Sequence, residues 1–457
     1  MRIHFRLCVA LLAAVLPALI AGCSSGGKKR TFIPPAGTST GFTWDPTGGF
    51  ADNATYLREV YVALAGNDST GNGSQANPYF SLTKALTVAV PGDKVILSAE
   101  VHSGGIYRQD VKGTAGAPIM ITGDPGGGTV IDGGTNCIQL SDAEYVVIQD
   151  IEMRNATGNG LNIDDGGTFD TPAHHIVFRR LFIHDIGSDG NQDGMKLSGL
   201  DYFLIDNCEI ARCGGNMSGS LIDMVGCHHG QIRGNNLHEG SGNAVQAKGA
   251  TEDIYIWRNR FEAAGARALN LGGSTGLAYF RPQGADYEAR NLTVVANVFI
   301  SCEAPICYVG CDGALVANNT IYLPNHWVIR ILQETVTGFI PCRNGKFINN
   351  IIVFNNADLS TYCNVGPDTA PDTFTFSNNL WFSLDSPGFT GPTLPVAETD
   401  SIYQQDPGFA NAGAGDFHIG SGSPAAGAGI TLSDVKYDFD QAVYASPPSL
   451  GAFEVTN

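Results

Sequence analysis

The sequence predicts an all-β chain wound as a single-stranded right-handed parallel β-helix with an N-terminal capping helix. Three observations carry that expectation. The 457 residues include 58 glycines and many short Val, Ile and Phe segments, so turn punctuation is frequent and helical periodicity is scarce after residue 100. An apolar-x-apolar-x-x-Asn-x-apolar phrase recurs, as in Leu204-Ile205-Asp206-Asn207-Cys208-Glu209-Ile210 and Val294-Val295-Ala296-Asn297-Val298-Phe299. Its asparagines, Asn207, Asn235, Asn259, Asn297, Asn318, Asn349 and Asn378, are 21 to 38 residues apart, which suits one coil of a solenoid with variable loops. Stacked along one turn, such amides hydrogen-bond to one another, so their expected role is structural.

The elements follow in order from the front. Arg2 and Arg6 precede an apolar run over residues 7–20, which ends in Leu19-Ile20-Ala21-Gly22-Cys23. Residues 1–22 read as a signal peptide, and the run is short for a retained anchor helix. The motif resembles the lipobox of bacterial lipoproteins, which implies lipidation of Cys23, export, and attachment to the cell envelope at the outer membrane or cell surface. Residues 23–55 then read as a tether that begins Ser24-Ser25-Gly26-Gly27. After Tyr61-Val62-Ala63-Leu64, the spacing over residues 81–89 predicts one amphipathic helix, the front cap. The β-helix is expected over 56–385 and a closing segment over 386–457. A solenoid grows in one dimension, so this length requires no second domain.

Charge narrows the partners. Removing residues 1–22 leaves 24 basic and 44 acidic side chains, a net of −20, which disfavours nucleic acid. A chain this acidic can handle a polyanion only where its few cations are concentrated or a bound cation inverts the local field. Nine cysteines follow Cys23 without C-x-x-C spacing, so disulfides with one thiol left over are expected in an oxidising compartment. In the adjacent pairs His174-His175 and His228-His229, alternation along a strand points the two members to opposite faces, away from a shared metal.

Alignment of the glycine-bounded strands locates the chemistry. Leu161, Ile163, Met195, Leu197, Ile222, Met224, Val245, Ala247, Leu269 and Leu271 fill the bore, and the residues between them face out. This places Asn162, Lys196, Asp223, Gln246, Asn270 and, further on, Arg330 in one outward row, with Asp164, Ser198 and Lys248 in a second. Two lysines beside carboxylates and amides form an elongated surface suited to a sugar polymer. The plainer reading of each lysine is a surface cation or a salt bridge to Asp223.

Two family resemblances rest on these segments. Asn191-Gln192-Asp193-Gly194-Met195-Lys196-Leu197-Ser198-Gly199 resembles the Asp-Gly-Phe-Lys-Leu-Gly-Gly phrase of family-nine pectate lyases, whose lysine abstracts the proton α to a uronate carboxylate with help from calcium. Lys196 matches that base. Asn162-Ile163-Asp164-Asp165-Gly166 matches the start of the same family's calcium-binding phrase but departs from it at Thr168, so Asp164 and Asp165 would need Asp185, Asp189 or Asp193 to complete a calcium site. Gln246-Ala247-Lys248-Gly249, with Arg267 and Arg281 downstream, resembles the lysine and arginine of family-six alginate lyases and chondroitinase B. There Lys248 is the candidate base.

The expected function is a polysaccharide lyase, monomeric and envelope-attached, that cleaves an acidic polysaccharide of pectate or alginate type by β-elimination. Lys196 is the preferred base, Lys248 its alternative, and Arg267 or Arg281 neutralise the uronate carboxylate. Mutual repulsion between the two lysines would depress the base's pKa. Asn162, Asp223, Gln246, Asn270 and Arg330 would bind substrate, calcium is the expected cofactor, and the loop around Tyr279 and Arg281 would wall the cleft. Two rivals remain: an inverting hydrolase using paired aspartates from Asp164, Asp165, Asp193 and Asp223, and a non-catalytic polysaccharide-binding lipoprotein.

Overall fold

A computed structural model describes residues 51, 54–187, 190–215 and 218–455, so the expected signal peptide, Cys23, most of the tether and Asp189 lie outside the described residues. The chain forms a parallel β-helix. Successive coils each add a strand to three parallel sheets, of 12, 10 and 12 strands among the described residues. Crossovers between parallel strands of one sheet wind right-handed. The bore is packed as the alternation predicts: Leu161, Ile163, Met195, Leu197, Ile222, Met224, Val245, Ala247, Leu269 and Leu271 are all at most 1% exposed. The Phe261 and Phe299 rings stack inside it with centroids 4.7 Å apart. Each buried aliphatic side chain contributes about 1.5–3 kcal/mol, so a repeating bore supplies a continuous core.

The front cap is the helix Leu82–Val88, with Leu82, Ala85 and Leu86 facing inward. Ser81 caps it, its Oγ accepting from Lys84 N at 3.1 Å. Among the described residues no helix is long and apolar enough to cross a membrane.

The asparagine ladder exists, but it is offset from the expected residues in half its rungs. It runs Asn235, Asn259, Asn297, Asn319, Asn350 and Asn379. Each of the first five donates both its backbone N–H and its side-chain amide to the Oδ1 of the next, as Asn259 does to Asn297 (2.9 and 3.0 Å) and Asn297 to Asn319 (2.9 and 3.0 Å), and Asn379 ends the ladder on Ser401 and Glu398. Asn207, Asn318, Asn349 and Asn378 instead occupy the preceding corner in left-handed conformation, with φ of 52–59°. Gly234, Arg258 and Ala296 fill the same corner in the other coils, with φ of 64°, 57° and 51°. Asparagine tolerates that conformation better than most residues, so Asn-Asn pairs supply corner and rung together. At the front end Cys208 takes the ladder place, its N–H donating to Asn235 Oδ1 at 2.8 Å.

Three further expectations are corrected. All nine cysteines from Cys137 to Cys363 are free and buried, acting as small apolar side chains rather than disulfide partners. The histidine pairs are not split across the sheet: His175 and His229 have φ of 57°, which breaks strand alternation, and their rings join a stack running Tyr145, His175, Tyr202, His229 with centroids 4.5–5.0 Å apart. The β-helix also outruns 385, because Ile402–Tyr403 still pairs with Leu380–Ser383. Residues beyond it do more than close the end. They run back along earlier coils, where Phe439 O accepts from Arg258 Nε (2.6 Å) and Ser449 O from Asn318 Nδ2 (3.0 Å).

Candidate functional site

The ten-stranded sheet carries the expected outward row. Gln139, Asn162, Lys196, Asp223, Gln246 and Asn270 lie in register on successive rungs, followed by Cys307, Arg330 and Asn364. The second row holds Asp164, Ser198, Val225 and Lys248. Parallel pairing sets the rung spacing at about 4.8 Å, so side chains one or two rungs apart can meet.

They meet at Asp223. Lys196 Nζ donates to Asp223 Oδ2, and Lys248 Nζ reaches the same oxygen at 3.2 Å. Lys196 also lies 3.5 Å from Asp193 Oδ2, while Lys248 donates to Gln246 Oε1 at 3.1 Å. Asp193 sits at the turn before the Lys196 strand, its Oδ1 accepting from Ser220 N at 2.7 Å. Both carboxylates are sealed, Asp193 being 1% and Asp223 0% exposed, although Asp223 was expected to face solvent. Asp223 Oδ1 has no hydrogen-bond partner among the described residues.

A glycine turn contributes to the cover. The backbone leaves the Arg267–Gly272 strand through Gly273 at φ 150°, where a Cβ would come within 2.7 Å of Gln246 Nε2. Buried Glu288 fixes the turn that follows: its Oε1 accepts from Thr275 N (2.9 Å) and Thr335 Oγ1 (2.8 Å), and its Oε2 from Gly249 N (3.0 Å) and Thr275 Oγ1 (2.8 Å).

Charge in the cluster is set by burial and by these contacts. Burial pushes the Asp193 carboxyl up to about 7, repulsion from Asp223 adds to it, and Lys196 pulls the other way. For Lys196 the expected downward shift is reversed. Burial works against the ammonium, but attraction to Asp223 and Asp193 outweighs it and holds the pKa above the ordinary lysine value. Lys196 therefore rests protonated, in the salt bridge to Asp223 that the plainer sequence reading describes.

The expected arginines part company. Arg267 stays at the row, donating to Asn270 Oδ1 (3.3 Å) and to Glu334 Oε1 (2.7 Å). Arg281 does not reach the lysine cluster. Its guanidinium grips Asp201 through both terminal nitrogens (2.7 and 2.5 Å), Gly226 O (2.9 Å) and Phe169 O (3.1 Å), so it pins the loop that carries it. Tyr279 and Leu277 on that loop are 68% and 65% exposed.

The expected calcium ligands do not converge. Asp164 Oδ2 accepts from Gln139 (3.0 Å) and Asn162 (3.3 Å), Asp165 Oδ1 accepts from Gly167 N (3.0 Å), and Asp193 faces Lys196. Among the described residues no group of three or more His, Cys, Asp or Glu side chains is arranged to hold a metal ion. As placed, these residues do not form a calcium cage.

Sequence reasoning missed Asn243, which donates to Ser220 Oγ (3.3 Å) and Gln246 Oε1 (3.4 Å). Its place in register with Ser220 and Arg267, two residues ahead of Val245, was the available signal. A cavity of about 490 Å³ lined by His229, Asp253, Tyr255, Asn291, Thr293 and Lys436 lies on strands of a different sheet and takes no part in this cluster.

A family model described as "Right handed beta helix region" matches residues 127–282. Among solved structures, the chain is similar to pectate lyase Pel9A, at 17% identity over 90% of this chain and 100% of that one, with a TM-score of 0.55. It is also similar to a rhamnogalacturonan lyase (13% identity, 74% of this chain and 90% of that one, TM-score 0.51). A third is XylC solved with xylose (12% identity, 87% of this chain and 98% of that one, TM-score 0.50). No curated protein matches the chain. At these identities the likeness is one of fold.

Proposed function

We propose that the protein is a monomeric polysaccharide lyase that cleaves a uronic-acid polymer by β-elimination on the ten-stranded sheet, and that Cys23 anchors it to the cell envelope. The observation that carries this reading is the convergence of Lys196 and Lys248 on one sealed carboxylate, Asp223, in the middle of a row of amides. In its neutral form, which becomes available as the pH rises, Lys196 takes the proton α to the uronate carboxylate. The electron pair of that C–H bond forms the new carbon–carbon double bond, the glycosidic C–O bond breaks, and the leaving oxygen takes a proton from water. Lys248, the amides of Gln246 and Asn270, and Arg267 stabilise the charge that develops on the carboxylate. Arg281 acts indirectly in this scheme, by holding the loop that bears Tyr279.

One observation favours a second reading, an inverting hydrolase. A carboxyl pushed up to about 7 at Asp193 is a general acid at neutral pH, and the Asp223 carboxyl group lies across Lys196 from it as a second acidic group. The burial of Asp193 beneath Lys196 argues for the lyase, because a proton donor must reach the leaving oxygen.

Mass spectrometry of the products from polygalacturonate and alginate separates the two. Elimination splits the polymer without adding water and leaves one unsaturated end per cut, whereas hydrolysis adds one water per cut. Products that all carry the added water would overturn the lyase reading, and binding without products would replace both with a binding protein. Release of Cys23→Ser from the membrane fraction tests the anchor.

A further inference from the structure

Past the lysines the row runs on to Arg330 and Asn364, which the elimination chemistry leaves unused. Asn270, Cys307, Arg330 and Asn364 occupy successive rungs, and Arg267 reaches Asn270 from the same sheet. The Arg330 guanidinium lies 4.1 Å from the Trp327 ring centroid, and Trp327 in turn stacks on His326 at 3.6 Å. Arg330 Nε donates to Asn364 Oδ1 at 3.1 Å, while its two terminal nitrogens have no hydrogen-bond partner and no carboxylate in ion-pairing distance among the described residues.

Such an arrangement is built to receive an anion. Burial lowers the Arg330 pKa and repulsion from Arg267 acts in the same sense, while Cys307, Glu334 and Glu303 pull it the other way. Neither glutamate ion-pairs with the Arg330 guanidinium, and Glu334 is taken by Arg267 at 2.7 Å. Stacking on Trp327 fixes the plane of the guanidinium and leaves its terminal fork unspent, the geometry that suits a carboxylate bound through two parallel hydrogen bonds.

We infer that Arg330, stacked on Trp327 and oriented by Asn364, forms a distal subsite for the carboxylate of a uronic-acid unit bound away from the point of cleavage. This rests on the proposed lyase reading and extends it to substrate length and charge. Arg330 lies three rungs from Lys248 and five from Lys196, on the order of 14 and 24 Å. A sugar ring is roughly one rung long, so an oligomer of about three units over the lysines stops short of Arg330, whereas about six units reach it.

The test is a fluorescence titration of the full chain carrying Lys196→Ala, with oligogalacturonates and oligomannuronates of three to eight units, alongside ultraviolet assays of the unsubstituted protein. Affinity should rise about tenfold or more between three and six units, with a change in tryptophan emission that Trp327→Phe removes. In Arg330→Ala and Arg330→Gln the length gain should vanish, and Arg330→Lys should restore part of it. A gain indifferent to Arg330, or no gain with either uronate, overturns the subsite. Elimination with an Arg330-independent gain defeats the subsite alone. An Arg330-dependent gain without elimination defeats the lyase reading and leaves the subsite standing.

Discussion

Lys196 and Lys248, two rungs apart, meet on the same oxygen of Asp223. The resting cluster is therefore a salt bridge in which the candidate base is held protonated, and substrate chemistry must work against that hold. Because Lys196 is raised, its neutral form becomes abundant only as the pH climbs, so turnover should increase toward alkaline pH. Asp223→Asn removes the largest attraction that raises it, and the basic limb should move down by about one unit or more. A kcat profile over pH checks this. An unmoved limb would take Lys196 out of the base role, whatever happens to the maximal rate.

Asp193 makes an independent claim on stability. Its folded pKa, about 7, lies above the ordinary 3.8, so between those values the native state holds a proton that the unfolded chain has lost. Stability contributed by the neutral carboxyl is complete at acid pH and is lost as pH rises through that window. Thermal unfolding from pH 4 to 7 should show Asp193→Asn losing less stability with rising pH than the unsubstituted chain does.

The asparagine ladder separates two roles that adjacent identical residues conceal. Asn319 donates to Val294 O, Ala317 O and Asn350 Oδ1, each at 3.0 Å, and receives from Asn297. Asn319→Ala should cost about 2–4 kcal/mol because the neighbouring buried amides lose partners. Asn318 occupies the left-handed corner at φ 52°, so Asn318→Gly should cost less despite the lost hydrogen bonds to Ser449 O and from Asn349 Nδ2. Urea midpoints of the two variants provide the comparison.

Coils, bore and groove row were legible because apolar alternation and recurring asparagines are local, periodic properties. The offset of the ladder at Asn318, Asn349 and Asn378 was not, since an Asn-Asn pair reads alike in either register until the corner dihedrals are known. Cys307 was overlooked because a buried apolar cysteine in the strand Ile306–Val309 breaks the polar alternation that marked the outward row on its neighbours. The fate of Arg281 depended on Asp201, 80 residues away in sequence, and no spacing rule reports a loop folding back across that distance. The course of residues 404–455 was hidden for the same reason: their partners, among them Arg258 and Asn318, belong to coils far upstream.

The loop over the groove distinguishes anchoring from contact. Arg281→Ala leaves Asp201 without its guanidinium partner, so it should lower stability by about 3 kcal/mol or more and open the loop to proteolysis. Tyr279→Ala removes an exposed ring and should leave the unfolding midpoint unchanged while raising KM several-fold. Limited proteolysis and steady-state kinetics on the two variants check both outcomes.

The most direct measurement is ultraviolet absorbance at the band of a conjugated uronate, with residues 24–457 incubated with polygalacturonate and with alginate. A rising signal that Lys196→Ala reduces by about 10²-fold or more is the expected result. A signal that survives Lys196→Ala and is lost in Lys248→Ala would move the base to the other lysine. New reducing ends without any absorbance would contradict elimination and place the chemistry on Asp193 and Asp223 instead.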